Sequence, residues 1–274
     1  MILIIKKNIQ MLDFEKLLPD LKKLSSDASA AIMTIYDSEF SFENKADGSP
    51  LTLADETSNN ILTEGLKRIT PDIQVISEET FKSNIIYEDN YWLIDPLDGT
   101  KEFINRNGDF SVNISFISKR QSIFGIVQRP IDKKIWTSLG NFSPEKNDKT
   151  TGPLRIVMSR SHKREEDTKF LQFLEDHQID FELVEKGSSL KICALCDGEA
   201  DIYPRFGPTS EWDIAAAHAV LNSCGGSVIN IKEETELDYA KKTTILNPYF
   251  MAFRNKALEN EFLDLLRDFF KKLV

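Results

Sequence analysis

Cysteine and histidine are scarce in this 274-residue sequence, with three of each. Cys193 and Cys196 form a CxxC, Cys224 stands apart, and no Cys/His set has zinc-finger spacing. An odd, small number of cysteines argues against a disulfide scaffold and for a reducing compartment, with the CxxC expected as small core residues of a helix. His162, His177 and His218 have no Ser or Cys partner in a recognisable motif, which leaves a Ser/His/Asp hydrolase without support. Glycine-rich dinucleotide fingerprints, a P-loop and DNA-binding modules are absent too. The apolar run at the start, Met1 to Ile5, is too short for a membrane span or secretory segment, and no later run is long enough. The cytoplasm is therefore the expected location. Met11 opens a helix-like stretch, which makes residues 1–10 a candidate extension from an upstream start codon.

Positive charge is also in deficit: 34 Lys+Arg face 44 Asp+Glu, a net charge of −10. A field of that sign repels polyphosphate, so no nucleic-acid polymer is expected as a partner. A small phosphorylated ligand stays compatible, because a few cations or bound metal ions reverse the sign inside one cleft. With 41% hydrophobic and 28% charged residues the composition is that of a globular protein. Its length is near the point at which one core splits into two lobes. The polar stretch Asn141–Pro153 is the expected boundary between an N-terminal α+β lobe, residues 1–150, and a C-terminal α/β lobe, residues 151–274.

From Leu12 to Ile35, apolar residues at Leu17, Leu21, Leu24, Ala28, Ala31 and Ile35 step by three or four and predict an amphipathic helix. Glu43–Pro50 reads as a polar loop, after which Thr52 or Asp55 opens a second helix. Strand signals follow at Ile73–Ser77, Tyr91–Asp95, Phe110–Phe116, Ser122–Gln128 and Lys134–Ser138, the last two as an antiparallel meander. In Phe110–Phe116 the alternation of Phe110, Val112, Ile114 and Phe116 with Ser111, Asn113 and Ser115 predicts a half-buried strand. Beyond the boundary, strands near Arg155–Met158, Phe181–Val184, Ala200–Tyr203 and Phe250–Phe253 alternate with helices near Arg164–His177, Leu190–Cys196, Trp212–Cys224 and Leu258–Leu273. The last helix is amphipathic and is expected to dock on the body, with peripheral membrane contact left open.

Chemistry concentrates in Asp95-Pro-Leu-Asp98-Gly-Thr100, where a buried-strand pattern runs into two carboxylates. Asp95 is expected to end the strand, Pro96 to block further pairing, and a tight turn to bring Asp98 beside Asp95. Neighbouring carboxylates without a base are costly unless a hard cation lies between them. Glu78 follows another predicted strand, and Asp213 starts the helix of Ile214–Leu221, which it either caps or leaves to point into the same cleft. Together Glu78, Asp95, Asp98 and Asp213 read as a carboxylate-rich Mg²⁺ site, and the N–H groups of Gly99 and Thr100 as receivers of a phosphate oxygen.

These motifs resemble the Mg²⁺-dependent, lithium-sensitive phosphatases that include inositol monophosphatase, fructose-1,6-bisphosphatase and the bisphosphate nucleotidases. Asp95-Pro-Leu-Asp-Gly-Thr100 is similar to the first signature of that family, and Trp212-Asp213 with Ala215-Ala-Ala217 to the second. Lys45 through Asp55 and Ser77-Glu-Glu79 precede them in the expected order, so the likeness spans most of the chain. It implies a layered αβαβα sandwich and two Mg²⁺ ions, with a third, looser ion near Glu78 as an option. Glu78, Asp95 and the Leu97 carbonyl would hold one ion; Asp95, Asp98 and Asp213 would hold the second. Asp55, otherwise a plain helix cap, would pair with Thr100 to orient and deprotonate the attacking water.

Within the family the sequence most resembles 3′(2′),5′-bisphosphate nucleotidases of the CysQ type, which convert adenosine 3′,5′-bisphosphate to AMP. Gly187-Ser-Ser-Leu-Lys191 and Ala200-Asp-Ile-Tyr-Pro-Arg205 carry that likeness; Gly48 departs from it where an aspartate is expected. The implied substrate contacts are Glu78, Leu97, Asp98, Gly99, Thr100, Ser188, Lys191, Arg205 and Asp213. Lys191 and Arg205 would neutralise the phosphate that is not cleaved, unless they are solvated surface cations. An inositol or fructose phosphatase and a non-catalytic metal or nucleotide sensor are the alternatives, and oligomeric state is open.

Overall fold

A computed structural model describes residues 12–39, 41–44, 50–140, 152–159, 164–240 and 244–273. The expected start-site extension, the Lys45–Gly48 motif and most of the expected lobe boundary lie outside those residues. In chain order the elements are α1 (Phe14–Tyr36), β1 (Phe42–Asn44), β2 (Pro50–Thr52), α2 (Leu53–Ile69), β3 (Gln74–Ser77), a 3₁₀ turn at Glu78–Thr80, β4 (Asn90–Asp98), α3 (Thr100–Ile104), β5 (Ser111–Ser118), β6 (Gln121–Arg129) and β7 (Lys134–Thr137). There follow β8 (Leu154–Ser159), α4 (Glu165–Asp176), β9 (Phe181–Lys186), α5 (Leu190–Cys196), β10 (Ile202–Arg205), α6 (Glu211–Ser223), β11 (Ser227–Asn230), β12 (Thr235–Glu236), β13 (Phe250–Phe253) and α7 (Lys256–Leu273).

These elements stack in five layers, as expected from the family resemblance. Helices α1 and α2 cover one face of a five-stranded sheet of order β3-β4-β5-β6-β7 through a core that includes Leu21, Leu62, Trp92 and Phe124. Helices α5 and α6 fill the middle layer between that sheet and a six-stranded sheet of order β12-β11-β13-β10-β8-β9. Helices α4 and α7 close the far side, where Phe170, Phe262, Leu266 and Phe269 pack together. The apolar face of α7 is thus spent on this outer core, and no described helix is long and apolar enough to cross a membrane.

Sandwiching between sheets explains the composition of α6. Its residues Ile214 to Leu221 are all buried, as a helix in a middle layer must be. Its Ala215-Ala216-Ala217 run lets the backbone touch the sheet: Ser122 Oγ donates to Ala215 O at 2.7 Å. A Cβ on Gly125 of β6 would lie 2.1 Å from Ala216 O. His218 is a core histidine, with Nδ1 2.7 Å from Tyr239 Oη and Nε2 3.1 Å from Glu236. Cys193, Cys196 and Cys224 are buried free thiols in the same layer, as expected.

Four details correct the sequence reading. The buried stripe of α1 ends on Ile32 and Tyr36, not Ala31 and Ile35, because a straight helix turns 3.6 residues per repeat and the stripe drifts. The ends of the Glu43–Pro50 loop are strands, paired Phe42↔Thr52 and Asn44↔Pro50. Strand β5 is buried on both faces, since α6 covers the side that carries Ser111, Asn113 and Ser115. Strand β12 has only two residues, and β11, Ser-Val-Ile-Asn, is buried throughout and shows no alternation, so neither left a periodic signal. Because Gly125 sets the approach of α6 to β6, Gly125→Ala should destabilise the fold by about 1–3 kcal/mol; chemical denaturation checks this, with an unchanged midpoint contradicting it.

Candidate metal centre and active site

The site begins with an irregularity in β4. Asp95 and Asp98 are three apart, and in a regular strand an odd spacing puts side chains on opposite faces. Strand β4 does not stop at Asp95; it continues through Pro96 and Leu97 to Asp98. Asp95 pairs with Asn113 and Asp98 with Ser111, so two residues of β4 face one of β5 in a bulge. Proline fits there because a bulge leaves a residue without a ladder hydrogen bond. The extra residue turns both carboxylates toward the face that carries Ser111 and Asn113. The expectation that Pro96 ends the pairing is thereby corrected, while the expected meeting of the two carboxylates holds.

Oxygen atoms of Glu78, Asp95 and Asp213 lie within 4.8 Å of one another. Glu78 arrives on the 3₁₀ turn after β3, Asp95 from β4, and Asp213 from the first turn of α6. Asp213 is not the N-cap: Ser210 is, and Asp213 Oδ2 accepts from Ser210 N at 2.8 Å as its reciprocal partner. One carboxylate therefore both closes the helix end and faces the cluster. Asp98 lies alongside, with Oδ2 accepting from Ser189 N at 2.5 Å and Asn113 Nδ2 at 3.3 Å, and with Ser111 Oγ 3.5 Å away.

Loss of hydration, then the charges of Glu78, Asp98 and Asp213, push the Asp95 carboxyl far above the usual carboxylate range. Asp213 is driven the same way by burial, Asp98 and Glu78. Burial raises Asp98 to about 6, opposed by the Lys191 ammonium and the Ser189 N–H. Two like charges about 4 Å apart repel by about 4 kcal/mol at an effective dielectric near 20. A divalent cation removes that repulsion, and an all-oxygen donor set suits hard ions such as Mg²⁺. The residues present therefore fit the expected metal: Glu78, Asp95 and Asp213 would hold it, with the charge of Asp98 close enough to act on Asp95 and Asp213.

Asp55 is fully buried at the third position of α2, behind the N-cap Thr52. Its Oδ2 accepts from Thr52 N and Thr52 Oγ1, both at 2.7 Å, and its Oδ1 accepts from Thr100 Oγ1 at 2.9 Å. The Asp55–Thr100 pair is thus present, and the cap is Thr52. Thr100 Oγ1 also lies 3.3 Å from the Leu97 carbonyl, which joins this pair to the bulge. Gly99 precedes α3 with φ +91°, a conformation that suits glycine.

Ser188 meets this turn from the other side, since a Cβ on Gly99 would lie 3.3 Å from the Ser188 Cβ. Lys191 is not a surface cation: it is 7% exposed, and its Nζ donates to Ser188 O at 2.7 Å and lies 5.8 Å from the Tyr203 ring centroid. Burial, then the neighbouring Arg205, lower its ammonium to about 8. Arg205 donates from Nη2 to Pro208 O at 2.9 Å, and its buried Nε has no hydrogen-bond partner among the described residues. The sequence reading missed the polar residues beneath the acids. Ser58 Oγ donates to Pro96 O at 2.7 Å, and Ser77 Oγ to Asn59 Oδ1 at 2.7 Å. Only the Ser-x-Asn-x-Ser alternation of β5 marked Ser111 and Asn113, and it points equally to a solvent face.

Carboxyls whose folded pKa lies above the unfolded value of about 3.9 bind more protons folded than unfolded, so metal-free stability falls as pH rises from about 4 through those raised values. At one hundred times its dissociation constant an ion adds about 2.7 kcal/mol. Mg²⁺ should therefore raise Tm more at pH 8 than at pH 5, where protons compete for the same oxygens. Thermal unfolding with Mg²⁺ and with EDTA at both pH values checks this; equal increments would contradict it.

With that geometry in view, comparison with known proteins is specific. The inositol monophosphatase family model matches residues 13–267. The 3′(2′),5′-bisphosphate nucleotidase CysQ of Salmonella typhimurium is 40% identical over 240 residues, covering 83% of this chain and 96% of its own. That of Haemophilus influenzae is 30% identical over 262 residues, covering 89% and 95%. The crystal structure of CysQ from Bacteroides thetaiotaomicron superposes with TM-score 0.74 at 30% identity, covering 89% of this chain and 98% of that one. A Thermotoga maritima IMPase reaches the same TM-score at 18% identity, over 94% and 100%, a likeness of fold. The chain belongs to the inositol monophosphatase family.

Proposed function

We propose that the protein is a Mg²⁺-dependent phosphomonoesterase that removes the 3′-phosphate of adenosine 3′,5′-bisphosphate, giving AMP and phosphate. The observation that carries this reading is the buried cluster of Glu78, Asp95 and Asp213 beside the Asp55–Thr100 pair, in a chain 40% identical to a bisphosphate nucleotidase. Two ions are assigned, one to Glu78, Asp95 and the Leu97 carbonyl and one to Asp95, Asp98 and Asp213, with a third near Glu78 as the variant. When bound, the ions supply Lewis-acid polarisation of the phosphoryl group and acidify the attacking water.

Chain residues do the rest. Asp55, held at Oδ2 by both Thr52 donors, keeps Oδ1 turned to the Thr100 hydroxyl. With its proton directed at Asp55, Thr100 Oγ1 is left as an acceptor and orients an incoming water. As the water attacks phosphorus and the P–O3′ bond breaks, the water proton passes to Thr100 Oγ1 while the Thr100 proton passes to Asp55 Oδ1, and the departing 3′-oxygen takes a proton from solvent water to become the hydroxyl of AMP. Gly99 and Thr100 N–H groups bind the phosphoryl oxygens. Ser188, Lys191 and Arg205 receive the phosphate that is kept, because the buried Lys191 ammonium is held on the Ser188 carbonyl and the Arg205 guanidinium neighbours it. The cleft then lies between an N-terminal lobe with most acids and a C-terminal lobe with Asp213 and these cations, in a cytoplasmic enzyme.

Phosphate release from adenosine 3′,5′-bisphosphate, inositol 1-phosphate and fructose 1,6-bisphosphate tests the assignment, with kcat/KM expected to be highest for the nucleotide. A preference for either sugar-type substrate would overturn the nucleotide reading; no release from any would overturn the enzyme. Asp55→Asn should lower kcat by about 10²–10⁴-fold with calorimetric Mg²⁺ binding retained. Undiminished turnover in that variant would remove Asp55 from the mechanism.

A further inference from the structure

Asp98 is tied to the loop that carries the anion-binding candidates by more than proximity. Ser189 lies between Ser188 and the start of α5, 2% exposed. Its backbone N–H donates to Asp98 Oδ2 at 2.5 Å. Its hydroxyl donates to Asn113 Oδ1 at 2.9 Å and lies 2.8 Å from Ser111 Oγ. The Asn113 amide, oriented by that contact, returns Nδ2 to Asp98 Oδ2 at 3.3 Å, and Ser111 Oγ reaches the same oxygen at 3.5 Å. Ser111, Asn113 and Ser189 are all buried, so this ring of hydrogen bonds is closed to solvent.

The ring has a chemical direction. Two donors, the Ser189 N–H and the Asn113 amide, converge on Oδ2, the Ser111 proton being taken by the Ser189 hydroxyl, and among the described residues no donor reaches Oδ1. A carboxylate engaged on one oxygen presents the other. The bulge in β4 sets Asn113 and Ser111 opposite Asp95 and Asp98, so the partner strand supplies the fixed side of the ring. The 187–191 loop supplies the other side, through the peptide next to Ser188, whose carbonyl holds Lys191 Nζ at 2.7 Å.

We propose that Ser189 and Asn113 are positioning residues for the proposed metal-dependent chemistry: they fix the rotamer of Asp98 so that Oδ1 faces the ion, and they join the 187–191 loop to the metal centre as one unit. This rests on the reading of Asp98 as a ligand under the proposed function. Neither residue touches the ion or the reacting phosphorus; each acts through Asp98. The loop that receives the retained phosphate and the carboxylate that receives the metal then move together, so occupancy of one orders the other.

The test is Mg²⁺ binding by titration calorimetry, without substrate, for wild type, Ser189→Ala, Asn113→Ala, the double variant and Asp98→Asn. Thermal unfolding in EDTA runs in parallel. Loss of an outer partner of a ligand weakens metal affinity by about 10- to 100-fold. Ser189→Ala and Asn113→Ala should each raise the Mg²⁺ dissociation constant within that range, the double variant by little more than the larger single effect. Asp98→Asn should weaken it at least as much. A merely structural role lowers Tm and leaves the dissociation constant of the folded protein unchanged; that result in Ser189→Ala, which keeps the backbone donor and the fold, overturns the proposal. If Asp98→Asn shifts the constant and both single variants do not, this inference fails and the ligand reading stands. If Asp98→Asn shifts nothing, both fail.

Discussion

Mutual repulsion among Glu78, Asp95, Asp98 and Asp213 is the constraint on which this structure turns. Burial first raises the pKa values of Asp95, Asp98 and Asp213, and the charges of neighbouring acids in the cluster add to it at Asp95 and Asp213. The fold supplies the acids from elements far apart in sequence: a turn after β3, a bulge in β4 and the first turn of α6. Three of these acids are held by backbone N–H donors. Leu97 N donates to Asp95 Oδ1 at 3.1 Å, Ser210 N donates to Asp213, and Ser189 N donates to Asp98. The rigidity that holds these carboxylates side by side is what preorganises a cation site.

Layering is how that rigidity is obtained. Asp213 is placed by α6, and α6 is placed by Gly125 and Ser122 of β6 against its alanine run. The same capping geometry serves twice, at Thr52–Asp55 and at Ser210–Asp213, where a carboxylate at the third helical position accepts from the cap and offers its remaining oxygen to the chemistry. Helix ends thus position both the candidate proton acceptor and a candidate metal ligand. A buried core secures them more firmly than surface loops would.

Much of this was legible in the sequence for identifiable reasons. Asp95, Asp98, Asp213, Glu78 and the Asp55–Thr100 pair were found because acids at strand ends and helix starts are rare enough, in that order, to carry a family resemblance. The bulge was not, because pattern reading treats Pro96 as a stop and cannot see that β5 continues opposite. Ser111 and Asn113 looked like a solvent face because a period of two says that two faces differ, not what covers each. Lys191 gave no sign of burial, since an isolated lysine is ordinarily at the surface. Tertiary placement, which none of these local signals contains, decided every case.

The central claim is that the buried acids form a divalent-cation site with Asp95 at its centre. Anomalous diffraction from a crystal soaked in Mn²⁺, a hard ion with the same preference for oxygen, tests it most directly. The account predicts anomalous peaks among the carboxylates of Glu78, Asp95 and Asp213, with a further peak toward Asp98. Mn²⁺ bound elsewhere, with no peak between Asp95 and its neighbours, would contradict it.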